Sequence, residues 1–270
     1  MTNTTFADHR QASQGSAFLG VSAGLFVAAA AVTIVSCQSM SALGGMPMPG
    51  NWTMSMVWMR MPGQTWPGAA TSFLGMWVLM MVAMMLPSLV PMLWRYRQVV
   101  DAASHVRLDA LTATVAAGYG VVWTAIGIGL YLAGVSLAAI AMQQPGVARA
   151  VPLAAGVAIL VAGALQFTAW KSRHLTCCRE LPGPGPGLSG SASPALRLGV
   201  RLGLHCACSC GNLMAILVVI GLMDVPAMWL VTAAITAERY APDGGRVPNA
   251  IGVIAAGTGA LVIARAVGLG

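Results

Sequence analysis

The sequence predicts an all-α, polytopic transmembrane helix bundle of about seven spans, and three observations predict it. Of 270 residues, 57% are hydrophobic and only 8% charged, whereas soluble domains carry roughly a quarter charged residues. Apolar runs close to the ~20 residues that cross a hydrocarbon core recur along the chain. Arginines collect in alternate connections, as they do on the cytoplasmic side of membrane proteins. High hydrophobicity also excludes a disordered chain. Nucleic-acid binding is excluded by the placement of the charge: a net charge of +7 comes from thirteen scattered arginines and the single Lys171, with no basic tract.

Taken in order, residues 1–16 form a short polar cytoplasmic leader containing His9 and Arg10, and 17–37 hold the first span, with its apolar run from Ala17 to Val35. The run ends in Ile34-Val35-Ser36-Cys37, which is similar to a lipobox, but its length and sparse basic leader favour an uncleaved helix. Residues 38–70 are an outer loop punctuated by Met, Pro and Gly. The remainder, 71–270, is the helical membrane domain. Its expected spans are Thr71–Trp94, Ala110–Ala141, Pro152–Trp170, Leu198–Leu222, a short Val225–Ala237 and Ala250–Val267, with a tight turn at Gln143–Gly146 and a Pro/Gly/Ser linker at 181–194. With the N-terminus inside, Arg10, Arg95, Arg97, Arg107, Lys171, Arg173, Arg179, Arg197, Arg201, Arg239 and Arg246 are cytoplasmic, and only Arg60, Arg149 and Arg265 lie outside. The short segment rises about 20 Å, less than the roughly 30 Å core. A re-entrant path there, leaving six spans, is the alternative. This charge pattern orients the chain in a membrane, in contact with the lipid bilayer.

Sulfur is concentrated in two places. Thirteen of the 18 methionines fall between Met40 and Met92, seven in the outer loop and six on the second span. On that span Met76, Met80 and Met84 stack at i, i+4, i+8, and Met81 and Met85 form a parallel row. Pro87 and Pro91 follow, each leaving the carbonyl four residues earlier without its helical donor. Thioethers are soft ligands that select Cu(I) and stay competent in an oxidising compartment, although methionine also fills irregular gaps between helices.

The second concentration lies on the side assigned to the cytoplasm: His174, Cys177 and Cys178 after the fourth span, and His205, Cys206, Cys208 and Cys210 in the first turns of the fifth. In a reducing compartment clustered cysteines are metal ligands or redox thiols more often than structural disulfides. At 100° per residue Cys206 and Cys210 share a helical face while Cys208 points away. The expected chelate is therefore Cys206 plus Cys210, completed from the 174–178 segment. Arg197, Arg201 and His205 recur every four residues and lead to Asn212, and Arg197 and Arg201 suit snorkelling to the interface. Asp224 before Val225-Pro226 reads as an N-cap, and Glu238 is expected to pair with Arg239 or a neighbouring arginine.

The ordered set Met76-Trp77…Met80…Ala83-Met84-Met85-Leu-Pro87…Pro91-Met92, Lys171-x-x-His174-Leu175-x-x-Cys178-Arg179, Gly199-x-x-x-Gly203-x-x-Cys206…Cys210-x-x-Leu213-Met214 and Gly221-x-Met223-Asp224…Glu238 resembles a bacterial family of predicted metal-binding integral membrane proteins, a domain of unknown function. It covers roughly residues 75 to 240. The family pattern has cysteine where this chain has His174, and a Cys-Cys-Trp run where it reads Ser209-Cys210-Gly211. The resemblance implies metal binding and supplies no activity.

Three functions follow as expectations. The first is handling of Cu(I), with zinc as the alternative ion, between thioethers outside and thiols inside, with a metallochaperone or a metalloenzyme under assembly as partner. The second is a thiol–disulfide redox protein, and the third is an assembly subunit in which Met and Cys only pack. No phosphate-binding loop, hydrolase triad or HExxH helix accompanies them, so of the three only the redox reading is catalytic.

Overall fold

The computed structural model describes residues 2–42, 44–61, 63–100, 105–179, 191–241 and 245–268, with backbone alone for 2–14, 105 and 179. Within them lie helices α1 (Thr2–Ala42), α2 (Trp66–Val99), α3 (His105–Gln143), α4 (Pro145–Leu165), α5 (Ala169–Arg179), α6 (Ala192–Ile220), α7 (Val225–Tyr240) and α8 (Arg246–Ala266). A two-stranded hairpin, β1 (Gly45–Met48) and β2 (Trp52–Ser55), connects α1 to α2. Six of the helices are long and apolar enough to cross a membrane: α2, α4, α6 and α8 in full, Gly15–Ala42 of α1 and Val106–Gln143 of α3.

Caps and prolines explain the boundaries. The Thr65 hydroxyl accepts from Gly68 N–H ahead of α2, and the Asp224 carboxylate accepts from Ala227 N–H at 2.8 Å ahead of α7. Pro67, Pro145 and Pro226 each occupy the first helical turn, where no N–H is needed. The hairpin reverses through Gly50 and Asn51, both with positive φ, the conformation that Gly and Asn adopt most readily.

Several expectations are corrected. The leader is helical from Thr2 and continues into the first span as α1, whose apolar candidate span begins at Gly15. The outer loop contains the end of α1, an ordered hairpin, a 3₁₀ turn (Met56–Trp58) and the first turn of α2. The fourth span ends at Leu165, and residues 169–179 form a separate helix that carries His174 and Cys178. Of the expected linker, residues 181–190 lie outside the described residues, while Ala192–Pro194 already belong to α6. Cys206 is the fifteenth residue of α6, so the cysteines sit midway along the helix and not in its first turns.

Glycine contacts give the helix directions. A Cβ on Gly199 would strike the Val115 backbone and one on Gly203 would meet Val122, so α3 and α6 run parallel. Gly156 lies against Ile263 and Gly163 against Ala256, so α4 and α8 run antiparallel. Since α4 folds back along α3, α8 runs in the direction of α6, and α7 returns the chain between them. Its 16 residues rise about 24 Å. Its last turn lies beside Cys206, where Arg239 donates to the thiol.

The main core gathers Phe73, Trp77, Met80, Met81, Met84, Met85, Tyr96, Tyr119, Trp123, Cys206, Cys210 and Leu217 from α2, α3 and α6, with Met228 and Ile235 from α7. Trp77 donates from Nε1 to the Trp123 carbonyl at 2.8 Å, which meets the need of a buried indole N–H. Cys37 is buried in the same core. A second, smaller cluster at the hairpin end joins Met48 and Met54 to Ala138, Ala141 and Ala148.

Candidate metal centre

Five helices meet around Cys206. Helix α6 places Cys206 and Cys210 one turn apart, with their sulfurs 3.6 Å from each other and both side chains at most 2% exposed. Two sulfurs at that separation can both reach one ion at the usual metal–thiolate distance of about 2.3 Å, with an S–metal–S angle of about 100°. Around Cys206 the Tyr119 hydroxyl of α3 lies at 2.9 Å and Arg239 Nη2 of α7 donates at 2.6 Å. Arg239 also donates from Nη1 to the Ser88 carbonyl of α2. Its Nε has no partner among the described residues.

Proline chemistry explains how α7 is anchored here. Pro91 has no N–H to give the Pro87 carbonyl, and Tyr240 donates its hydroxyl to that oxygen at 3.0 Å. An orphaned helical acceptor on α2 thus becomes the docking point for the last turn of α7, beside Arg239.

Helix α5 supplies the other wall. Cys178 is buried, with its sulfur 3.5 Å from Ser209 Oγ, and burial pushes its thiol up to about 11, partly countered by Arg239. Ser209 donates to the Cys206 carbonyl. One turn away on both helices, His174 and His205 bring their Nδ1 atoms within 3.3 Å, and Trp170 packs edge-on against His174. Two imidazole nitrogens that close can share one ion at about 2.0–2.1 Å with an N–metal–N angle of about 110°.

A buried ion pair closes the base of the site. Lys171 Nζ lies 2.8 Å from Glu238 Oε2, both side chains being 2% exposed, and it donates to Asn212 Oδ1 at 3.2 Å. Asn212 in turn donates to the Ala162 carbonyl of α4. Burial pulls the Lys171 ammonium down, and Glu238 opposes that shift. The expected Glu238–arginine pair is thus corrected: Glu238 takes the lone lysine, which leaves Arg239 for the thiol.

The remaining sequence candidates are placed apart. Cys177 is exposed and Cys208 half-buried, facing away from the Cys206–Cys210 pair. Among the described residues no group of three or more His, Cys, Asp or Glu side chains stands together as a metal site; the thiols are paired, and the imidazoles form a second pair. On α2, Met80, Met81, Met84 and Met85 are buried, and Met76 packs against the core. Met80 and Met84 line a recess shared with α1 and α7. The hairpin methionines are spent otherwise. Met46 pairs across strands with Met54 and Met48 with Trp52, and Met48 and Met54 pack on the α3–α4 turn, held there by Trp52 Nε1 donating to the Ala148 carbonyl at 2.8 Å.

Sequence reasoning missed Tyr119, Arg239 as a thiol partner, and Met228. Tyr119 carries no local signal, since only the parallel α3–α6 packing brings it to Cys206. A cue for the base existed in the solitary lysine: a buried Lys needs a carboxylate, and few acidic residues are available.

A family model described as PpoB2, copper chaperone, matches residues 74–262. The chain belongs to this copper-chaperone family. No curated protein and no solved structure matches it. The matched residues take in about three quarters of α2 and run into α8, so they include every group of the inner cluster. They leave out α1 and the hairpin. The sequence-level resemblance to a metal-binding family is therefore sharpened to a copper-related one, and six helices able to cross a membrane support a multi-pass membrane protein.

Proposed function

We propose that this copper chaperone handles Cu(I) inside a bacterial inner membrane, with the N-terminus cytoplasmic. The Cys206–Cys210 pair binds the ion as a two-sulfur site, with the buried Cys178 of α5 on the facing wall, and the metal is passed to or from a metallochaperone or a metalloenzyme under assembly. One observation carries the reading: two buried sulfurs 3.6 Å apart, in a chain whose family is copper-directed. Soft thiolates prefer Cu(I) over harder ions, and Arg239 compensates the charge of a thiolate that would otherwise be buried alone. Zinc would suit the same donors, and the family favours copper.

The His174–His205 pair, with His205 directly preceding Cys206 on α6, is the natural first or last contact for an ion moving between the thiols and an aqueous partner. Cys177 and Cys208 lie off this route. At the other end, the thioethers of Met76, Met80, Met81, Met84 and Met85 supply neutral soft donors on the side where thiols would oxidise.

Elemental analysis of reduced, detergent-purified protein tests the site. Wild type is expected to hold about one copper or more per chain, and Cys206→Ser/Cys210→Ser to lose one equivalent. Equal copper in both sinks the assignment.

A second reading, thiol–disulfide exchange, is favoured by the same 3.6 Å separation and by the cation beside Cys206, which suits a reactive thiol. Alkylation before and after reductant separates the two. A chaperone pair is fully alkylated without reductant, whereas a redox pair cycles into a protected form.

A further inference from the structure

The seam where α2 meets α7 joins the two soft-donor regions. On α2, Met80, Met84 and Ser88 lie four apart on one face; on α7, Met228, Thr232, Ile235 and Arg239 share a face. At one end of the seam Arg239 bridges the Ser88 carbonyl and Cys206. At the other end a recess opens between α1, α2 and α7, lined by Met80, Met84 and Met228. Its cavity volume is about 40 Å³, more than the ~10–15 Å³ that one water-sized body requires.

Two further features distinguish this recess from a packing fault. Thr33 of α1 lines it and is 5% exposed, yet its hydroxyl has no hydrogen-bond partner among the described residues. Such a buried, unsatisfied group is uncommon and calls for a partner. Ala83 lines the recess as well, and Pro87 has no N–H to offer the Ala83 carbonyl. Met80, Met84 and Met228 therefore border a single small space together with Thr33 and Ala83, with no charged side chain on its wall.

We infer that this recess is a second Cu(I) site, made of Met80, Met84 and Met228 with the Thr33 hydroxyl beside them, and that it is the station from which the ion passes along the α2–α7 seam to Cys206. This rests on the copper-handling reading above and extends it by a residue, Met228, that lies far from the methionine-rich stretch. Soft neutral sulfur suits a monovalent soft ion. The distance is short. Met80 to Ser88 is eight helical residues, about 12 Å, and Met228 to Arg239 is eleven, about 16 Å.

The full chain in detergent is titrated with Ag(I), a redox-inert soft ion, and with Cu(I) under reductant, and sulfur ligation is read by X-ray absorption. The Cys206→Ser/Cys210→Ser chain is expected to retain one tightly held ion with thioether-type ligation. Adding Met80→Leu, Met84→Leu and Met228→Leu removes that ion, and the three leucines in the wild-type background remove one equivalent while leaving the thiolate-bound one. Leucine conserves volume, and an unchanged unfolding midpoint confirms that each variant is folded. Retention of the second ion by the leucine variants overturns the inference. If wild type binds a single ion and the cysteine variant none, copper handling stands and the recess falls. If wild type binds none, the copper reading itself falls.

Discussion

Met48 and Met54 at the hairpin and Met80 and Met84 on α2 are all buried, yet their surroundings differ. The hairpin pair is closed over by alanines of α3 and α4, and an indole hydrogen bond from Trp52 to the Ala148 carbonyl ties the hairpin to α4. The α2 pair faces a recess with an unsatisfied hydroxyl and leads, two turns on, to a thiol held by a guanidinium. A residue type that signals soft-metal chemistry by its frequency is thus packing in one place and a candidate donor in another. What separates the cases is whether space and unmatched polarity lie next to the sulfur. The same contrast holds for the two ends of the molecule: dispersion and apolar burial hold the hairpin end, whereas buried charges and thiols hold the cysteine end.

The contrast can be broken or sharpened by substitution. The largest effect is expected at the buried ion pair. Glu238→Gln leaves the Lys171 ammonium without its carboxylate in a site that is 2% exposed, and removing one partner of a buried pair costs about 3–5 kcal/mol. Thermal or denaturant unfolding reads this, and a loss below about 1 kcal/mol would mean that the cysteine end is not held by charge. A Lys171→Met/Glu238→Leu double variant is expected to recover much of the loss, because apolar replacement of both charges is often neutral or better.

Next in size is Gly199→Ala. Its added methyl would press on the Val115 carbonyl, which belongs to backbone and cannot swing aside. Overpacking of this kind costs about 1–3 kcal/mol, and it would also push α3 away, carrying Tyr119 from Cys206. Gly20→Ala, with open space around it, is the matched control and is expected to leave stability unchanged or slightly raised.

The smallest change is expected at the hairpin. Met48→Leu/Met54→Leu conserves volume and should cost less than about 1.5 kcal/mol, with copper content unaltered. Loss of a full copper equivalent in that variant would erase the distinction between the two methionine regions.

Much of this was legible in the sequence. Hydrophobic run length alone predicts a membrane bundle, because backbone groups in a hydrocarbon core must be satisfied within helices. Helical periodicity predicts that Cys206 and Cys210 share a face and that Cys208 does not, since 100° per residue is a local property. The Asp224 cap and the two proline-orphaned carbonyls are local as well. Boundaries were less legible: α5 was hidden inside a stretch read as span and loop, because three residues that break a helix at 166–168 carry no Gly or Pro to announce it.

Tertiary structure alone decided which groups meet. That Lys171 takes Glu238 and leaves Arg239 to Cys206, that Tyr119 arrives from 87 residues away, that Tyr240 satisfies the carbonyl left by Pro91, and that Met228 faces Met80 and Met84 all depend on helix rotation and crossing. For the α3–α6 and α4–α8 pairs these are set by close glycine contacts, which involve pairs of distant residues. Periodicity sets the face a residue occupies on its own helix. Only packing against the other helices determines what that face meets.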